Sequence, residues 1–216
     1  MLPIKSIILF NGGSAGDFLK AISLGQLNQT KNFVTVNDQG RAQLSNDYFK
    51  KLCSSSYAIK TMPVIDFIKV TQVENSHHYL PELDQLAESL WYIDYPDEIQ
   101  EQIINVYIKK ARKNNINFVW QREVELGILN NIPEQMKSKI NQDNIVKVLN
   151  IHWLKNLRGW RNNPKLLPIQ LADFFDLKKF TSIVSNVSKT SINQELLEQQ
   201  YQLWYNQNLE LQGIFQ

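Results

Sequence analysis

Residues 4–10 read IKSIILF and residues 11–19 read NGGSAGDFL, and the join between the two decides the fold. The first run is short, β-branched and almost continuously apolar, as expected of a strand covered on both faces. Asn11-Gly12-Gly13 breaks it, and Ser14 opens a helical pattern carried by Phe18, Leu19, Ile22 and Leu24. Strand, tight glycine turn and helix make the first half of a βαβ unit.

Further strands are expected where β-rich runs recur: residues 32–36 (NFVTV), 64–73 (VIDFIKVTQV), 90–95 (LWYIDY) and 145–151 (IVKVLNI). Helical patterns lie between them. Residues 40–53 read as a loop entering a helix, and 81–88 as a helix start. Pro96-Asp97-Glu98 opens a helix carrying Ile99, Ile103, Val106, Tyr107 and Lys110, with proline and acids suited to the first turn. Residues 118–129 and 167–175 read as helices, and 193–211 as a long terminal helix containing Trp204 and Tyr205. Alternating strands and helices predict an α/β fold: a three-layer, doubly wound, mostly parallel sheet of four or five strands with residues 4–10 central. No linker divides the chain, so residues 1–216 are expected to form a single domain with a C-terminal helix. Ligands in such folds sit at the carboxyl ends of strands, here after Phe10, Val73, Tyr95 and Ile151.

Composition bounds the function classes. The 216 residues carry 23 basic and 21 acidic side chains, a net charge of +2, with no bulk drive toward nucleic acid or an anionic membrane. Hydrophobic residues make up 43%, which predicts a globular chain rather than disorder. Cys53 stands alone and is expected to be a small buried hydrophobe in a reducing, cytoplasmic setting. No Cys/His spacing resembles a zinc site, so no metal is expected. Residues 1–10 lack a signal-peptide pattern, and no run approaches the roughly 20 apolar residues that span a bilayer.

The candidate binding residues are Gly12, Gly13, Ser14, Ala15, Gly16 and Asp17. Three glycines and an alanine keep Cβ atoms clear, so successive N–H groups can converge on an anion at the helix N-terminus. A full phosphate loop reads GxxxxGK[ST], whereas here Asp17 follows Gly16 where the lysine would stand. The purely structural alternative stays open: Ser14-Ala15-Gly16-Asp17 has the form of a capping box, and the glycines then only permit a tight turn.

Gly12 to Leu19 resembles the P-loop superfamily, and within it the sulfotransferase-like branch, whose glycine/serine turn often lacks the lysine and leads into a Phe-Leu or Trp-Leu pair. Ser76-His77-His78 is similar to the histidine that ends that branch's second core strand. Residues 90–98 (LWYIDYPDE) resemble its next strand and helix start, and Asp173-Phe174-Phe175 with the Trp-bearing terminal helix resembles its closing segments. The resemblance covers most of the chain. It implies a nucleotide-dependent group transferase with a sulfonated adenine nucleotide as donor. The chain departs from the branch at Asp94, which stands where an arginine usually contacts the donor's phosphate, and no serine follows at the usual spacing.

Three other constellations bear chemistry. His77 and His78 are candidate general bases, with Glu74 or Asp84 to orient them; the alternative is a solvated polar turn. Asp94, Asp97 and Glu98 suit either Mg²⁺ beside a nucleotide phosphate or a favourable helix start. Residues 153–165 (WLKNLRGWRNNPK) place Lys155, Arg158, Arg161 and Lys165 among tryptophans, as a basic flap over a phosphorylated ligand or as a solvated amphipathic segment. Two functions follow, and a third, a small nucleotide kinase, is disfavoured by the missing lysine. In the first, a transferase holds donor phosphates at the turn, deprotonates an acceptor with His77 or His78, and neutralises charge with Arg158 and Arg161. In the second, a non-catalytic binding or assembly module has lost the lysine and the donor-contacting arginine.

Overall fold

The computed structural model describes residues 4–28, 34–36, 42–44, 73–77, 79–112 and 145–216. These form β1 (Ile4–Leu9), α1 (Gly16–Asn28), β2 (Val34–Val36), β3 (Ala42–Leu44), β4 (Val73–Ser76), β5 (Ala87–Asp94), α2 (Gln100–Arg112), α3 (Ile145–Arg161), β6 (Leu166–Gln170), α4 (Leu177–Ser188), α5 (Gln194–Asn206) and α6 (Leu209–Gln212). Single 3-10 turns over Pro81–Gln85, Asp97–Ile99 and Leu171–Phe175 lead into β5, α2 and α4.

The main sheet runs β4-β1-β5-β6, and every pairing in it is parallel. Ile7 of β1 lies between Glu74 of β4 and Leu90 of β5, so the IKSIILF run is internal, as its continuous apolar character requires. Helices cover both faces. On one, Ser6 Oγ donates to the Val187 carbonyl of α4 at 2.7 Å and accepts from Trp91 Nε1 at 3.2 Å. Tyr92, the next residue of β5, points to the opposite face by strand alternation, where its ring lies 6.4 Å from that of Trp160 in α3. Phe18 of α1 stacks on Phe180 of α4 at 5.4 Å and on Trp204 of α5 at 4.8 Å, joining three helices in one aromatic core. Each such ring removed from water contributes roughly 1.5–3 kcal/mol. A short antiparallel β2–β3 pair lies outside the main sheet.

Several expected elements differ. Residues 145–151, expected to be a strand, are the first two turns of α3. The buried residues Ile145, Leu149, Trp153, Leu157 and Trp160 recur at helical spacing over 17 residues, a period that a seven-residue window cannot display. Arg158 and Arg161 therefore belong to the last turn of a helix and not to a flap following a strand. Residues 167–175, expected to be a helix, are mostly strand β6 and the 3-10 turn that follows it. Pro168 is tolerated because β6 is an edge strand among the described residues. Residues 81–88 give only a 3-10 turn before β5 begins at Ala87. The expected terminal helix is broken at Gln207 and Asn208, with Asn208 Nδ2 donating to the Trp204 carbonyl at 2.7 Å. His78, Cys53, residues 64–72 of the expected strand and the expected helix over 118–129 lie outside the described residues.

After β1 the chain returns to the sheet on one side as β4, and then on the other side as β5. This order places a topological switch at the carboxyl ends of β1 and β5, where an open parallel sheet leaves a crevice.

Candidate functional site

The glycine turn occupies the β1 side of that crevice. Gly13 has φ 79° and Ala15 has φ 61°, both left-handed. For alanine this backbone costs roughly 1–2 kcal/mol. α1 starts at Gly16, one residue later than a Ser14 cap would start it. Ser14 Oγ donates to the Asn11 carbonyl at 2.7 Å, and Ser14 N–H to the same oxygen at 3.3 Å, so the hydroxyl closes the turn. The first helical bond runs from Leu19 N–H to the Ala15 carbonyl at 3.0 Å. Among the described residues, the backbone N–H groups of Gly12, Gly13, Ala15 and Gly16 have no hydrogen-bond acceptor. Gly12 and Gly16 are buried, where unpaired N–H groups are rare. Left-handed residues stand on either side of Ser14, and alternation of backbone hand is the pattern found in anion-binding nests.

The turn is held by a buried polar chain. Asn11, 1% exposed, donates through Nδ2 to Tyr95 Oη at 3.0 Å and to the Trp153 carbonyl at 3.2 Å. Tyr95 donates to Gln100 Oε1 at 3.3 Å, and Gln100 Nε2 donates to the Asn150 carbonyl at 2.9 Å. Burial pushes the Tyr95 phenol well above its usual range, so it stays a neutral donor. The glycines also admit neighbours. A Cβ at Gly12 would stand 2.8 Å from Trp153 Cζ2 and Cη2, one at Gly13 would stand 2.9 Å from Tyr107 Cβ, and one at Gly16 would enter the ring of Phe10. Trp153 and Tyr107, with ring centroids 5.5 Å apart, thus wall the turn from α3 and α2.

The β5 side of the crevice has a different character. Arg158 Nη2 lies 2.8 Å from Asp97 Oδ2. Arg161 pairs with Asp94 at 2.7 Å and with Asp97 at 2.6 Å, and also donates to the Tyr95 carbonyl. Burial pushes the Asp97 carboxyl up, but hydrogen bonds from Arg161 and Arg158 outweigh it and hold the group below the ordinary carboxylate range. Both arginines are therefore engaged in ion pairs that fix α3 to the end of β5.

The sequence-derived residues assemble in part. Gly12, Gly13, Ser14, Ala15 and Gly16 form the turn, with Asp17 exposed in the first turn of α1. His77 joins them from the end of β4. It is buried, its Nδ1 lies 2.8 Å from the Phe10 carbonyl, and its ring centroid is 4.2 Å from that of Phe10. Asn156 of α3 reaches the His77 carbonyl at 3.4 Å. Asp84, considered as the histidine's orienting carboxylate, instead accepts from Tyr79 Oη at 2.8 Å and pairs with Lys165. No cluster of three or more His, Cys, Asp or Glu suited to a metal occurs among the described residues. No helix among them is long and apolar enough to cross a membrane.

Two residues that wall the turn were not placed there by sequence reasoning. Trp153 and Tyr107 line it through contacts distant in sequence. Lys20 is 1% exposed on α1, four residues after Gly16, although lysine is almost never buried to this degree. No protein-family model, curated protein or solved structure matches this chain.

Proposed function

We propose that the chain binds the phosphate or sulfonate group of a nucleotide at the glycine turn, as a non-catalytic binding module on a degenerate P-loop-like fold. The observation that carries this reading is the set of acceptor-free N–H groups on Gly12, Gly13, Ala15 and Gly16, two of them buried, at the switch point of a parallel sheet. An oxyanion satisfies these donors together. Group transfer is less well supported, because Arg158 and Arg161 already neutralise Asp94 and Asp97. His77 favours the second reading, a sulfotransferase-like transferase, since it stands beside the turn as a candidate base.

A thermal-shift panel of adenine nucleotides and their sulfonated forms tests the binding claim. A ligand at one hundred times its Kd stabilises the native state by about 2.7 kcal/mol. The expected result is a saturable rise in Tm with at least one member and no turnover of the sulfonated nucleotide with hydroxyl acceptors. Turnover that disappears in His77→Gln would establish the transferase instead.

A further inference from the structure

We infer that the Trp153 indole N–H is itself a ligand contact, donating to the bound oxyanion beside the backbone N–H groups; this rests on the reading of the turn as an anion site. Trp153 is fully buried, and its Nε1 has no hydrogen-bond partner among the described residues. Buried indole N–H groups usually find an acceptor, because an unmade hydrogen bond in the interior is costly. The ring is not loosely placed. Its own carbonyl accepts from Asn11, and its ring meets that of Tyr107 at a tilt of 60°, with centroids 5.5 Å apart. Its Cζ2 and Cη2 atoms meet the open side of Gly12, each 2.8 Å from where a Cβ would stand. Nε1 is two bonds from Cζ2 on that same edge. The ring that carries the orphan indole donor therefore abuts Gly12, whose own N–H also has no acceptor among the described residues. Phenylalanine would fill much of this space without bringing a polar atom into it, so the N–H is the feature that packing leaves unexplained. A tetrahedral oxyanion presents several acceptor oxygens and can satisfy the side-chain and backbone donors at once.

Trp153→Phe keeps an aromatic ring and removes the N–H. Inorganic sulfate, inorganic phosphate and an adenine nucleotide are titrated into the full-length wild type and variant, with the shift in Tm as readout. For any probe that binds the wild type, the variant's Kd is expected to rise about tenfold, as for one lost hydrogen bond to a charged group. The variant's ligand-free Tm is expected to fall modestly, because the cavity left by the smaller ring outweighs the gain from removing an unpaired buried donor. Equal affinity in the two proteins overturns the inference and marks a purely structural tryptophan. Failure of the wild type to bind any probe overturns the reading of the turn itself, and the inference with it. Wild-type protein labelled with ¹⁵N-tryptophan gives a readout independent of the variant's folding. One of its five indole resonances should shift on saturation with the binding probe, and no shift in any of them would overturn the contact.

Discussion

The carboxyl ends of β1 and β5 lie side by side and solve opposite problems. At β5 there are formal charges, and each is matched: Asp97 with Arg158 at 2.8 Å and with Arg161 at 2.6 Å, Asp94 with Arg161 at 2.7 Å. At β1 the polar groups are mostly neutral, and several donors are unmatched: the N–H groups of four turn residues and the indole of Trp153. Conspicuous charge marks the part of the crevice that is already closed. Inconspicuous amide groups mark the part that is chemically unfinished. A buried donor without an acceptor is uncommon and is what the proposed anion would satisfy, whereas a satisfied ion pair accounts for itself.

Substitutions at the two ends should separate these roles. The largest effect is expected for Gly16→Ala, whose Cβ would enter the Phe10 ring, itself packed on His77. Overpacking of this kind should cost about 3 kcal/mol, read from the urea midpoint. A loss under about 1 kcal/mol would show that the ring can yield. Arg161→Ala removes contacts to Asp94, Asp97 and the Tyr95 carbonyl and should cost about 1–2 kcal/mol after allowance for solvent screening. Arg158, with its side chain 63% exposed, should cost less than about 1 kcal/mol on removal. If the order of the two arginines were reversed, the ion pairs would not be the staple described here.

The β5 end should also respond to acid. Asp97 is held below the ordinary carboxylate range in the folded chain. Its contribution to stability is therefore complete above the unfolded value near pH 4 and is lost as pH falls through the lower folded value. Urea unfolding between about pH 5 and pH 2 should show a flatter acid limb in the Arg158→Ala/Arg161→Ala double variant than in the wild type. Parallel limbs would contradict the assignment. The smallest effect is expected at Ala15. Glycine relieves its left-handed backbone but adds entropy to the unfolded chain, so Ala15→Gly should stabilise by about 1 kcal/mol or less. Destabilisation would mean that the methyl group contributes packing greater than the strain it carries.

The contrast between the two ends also explains what could be read from the sequence. β1 and its turn were legible because a continuous apolar run followed by Asn-Gly-Gly is a local signal, and β5 was legible for a similar reason. α3 was not, since IVKVLNI is β-rich over seven residues and shows its helical period only when Trp153, Leu157 and Trp160 are added. β6 was obscured by Pro168, which reads against a strand unless the strand is known to lie at an edge. The turn residues of the candidate site were visible in the sequence, but their surroundings were not. Trp153 meets Gly12 across more than half the chain, and the acids that neutralise Arg158 and Arg161 lie more than sixty residues before them. Charge read along a sequence carries no record of its partner, which is why the two arginines looked available.

Calorimetric titration of an adenine nucleotide, and of its sulfonated form, into wild type and the Arg158→Ala/Arg161→Ala double variant separates binding by the neutral donors of the turn from binding by the arginines. One saturable site is expected for at least one of the two ligands, with Kd in the double variant within about twofold of wild type, because the neutral donors of Gly12 to Gly16 hold the anion. Absence of binding to wild type would contradict binding at the turn, and binding that is lost with the two arginines would contradict it and return the site to the charged end of β5.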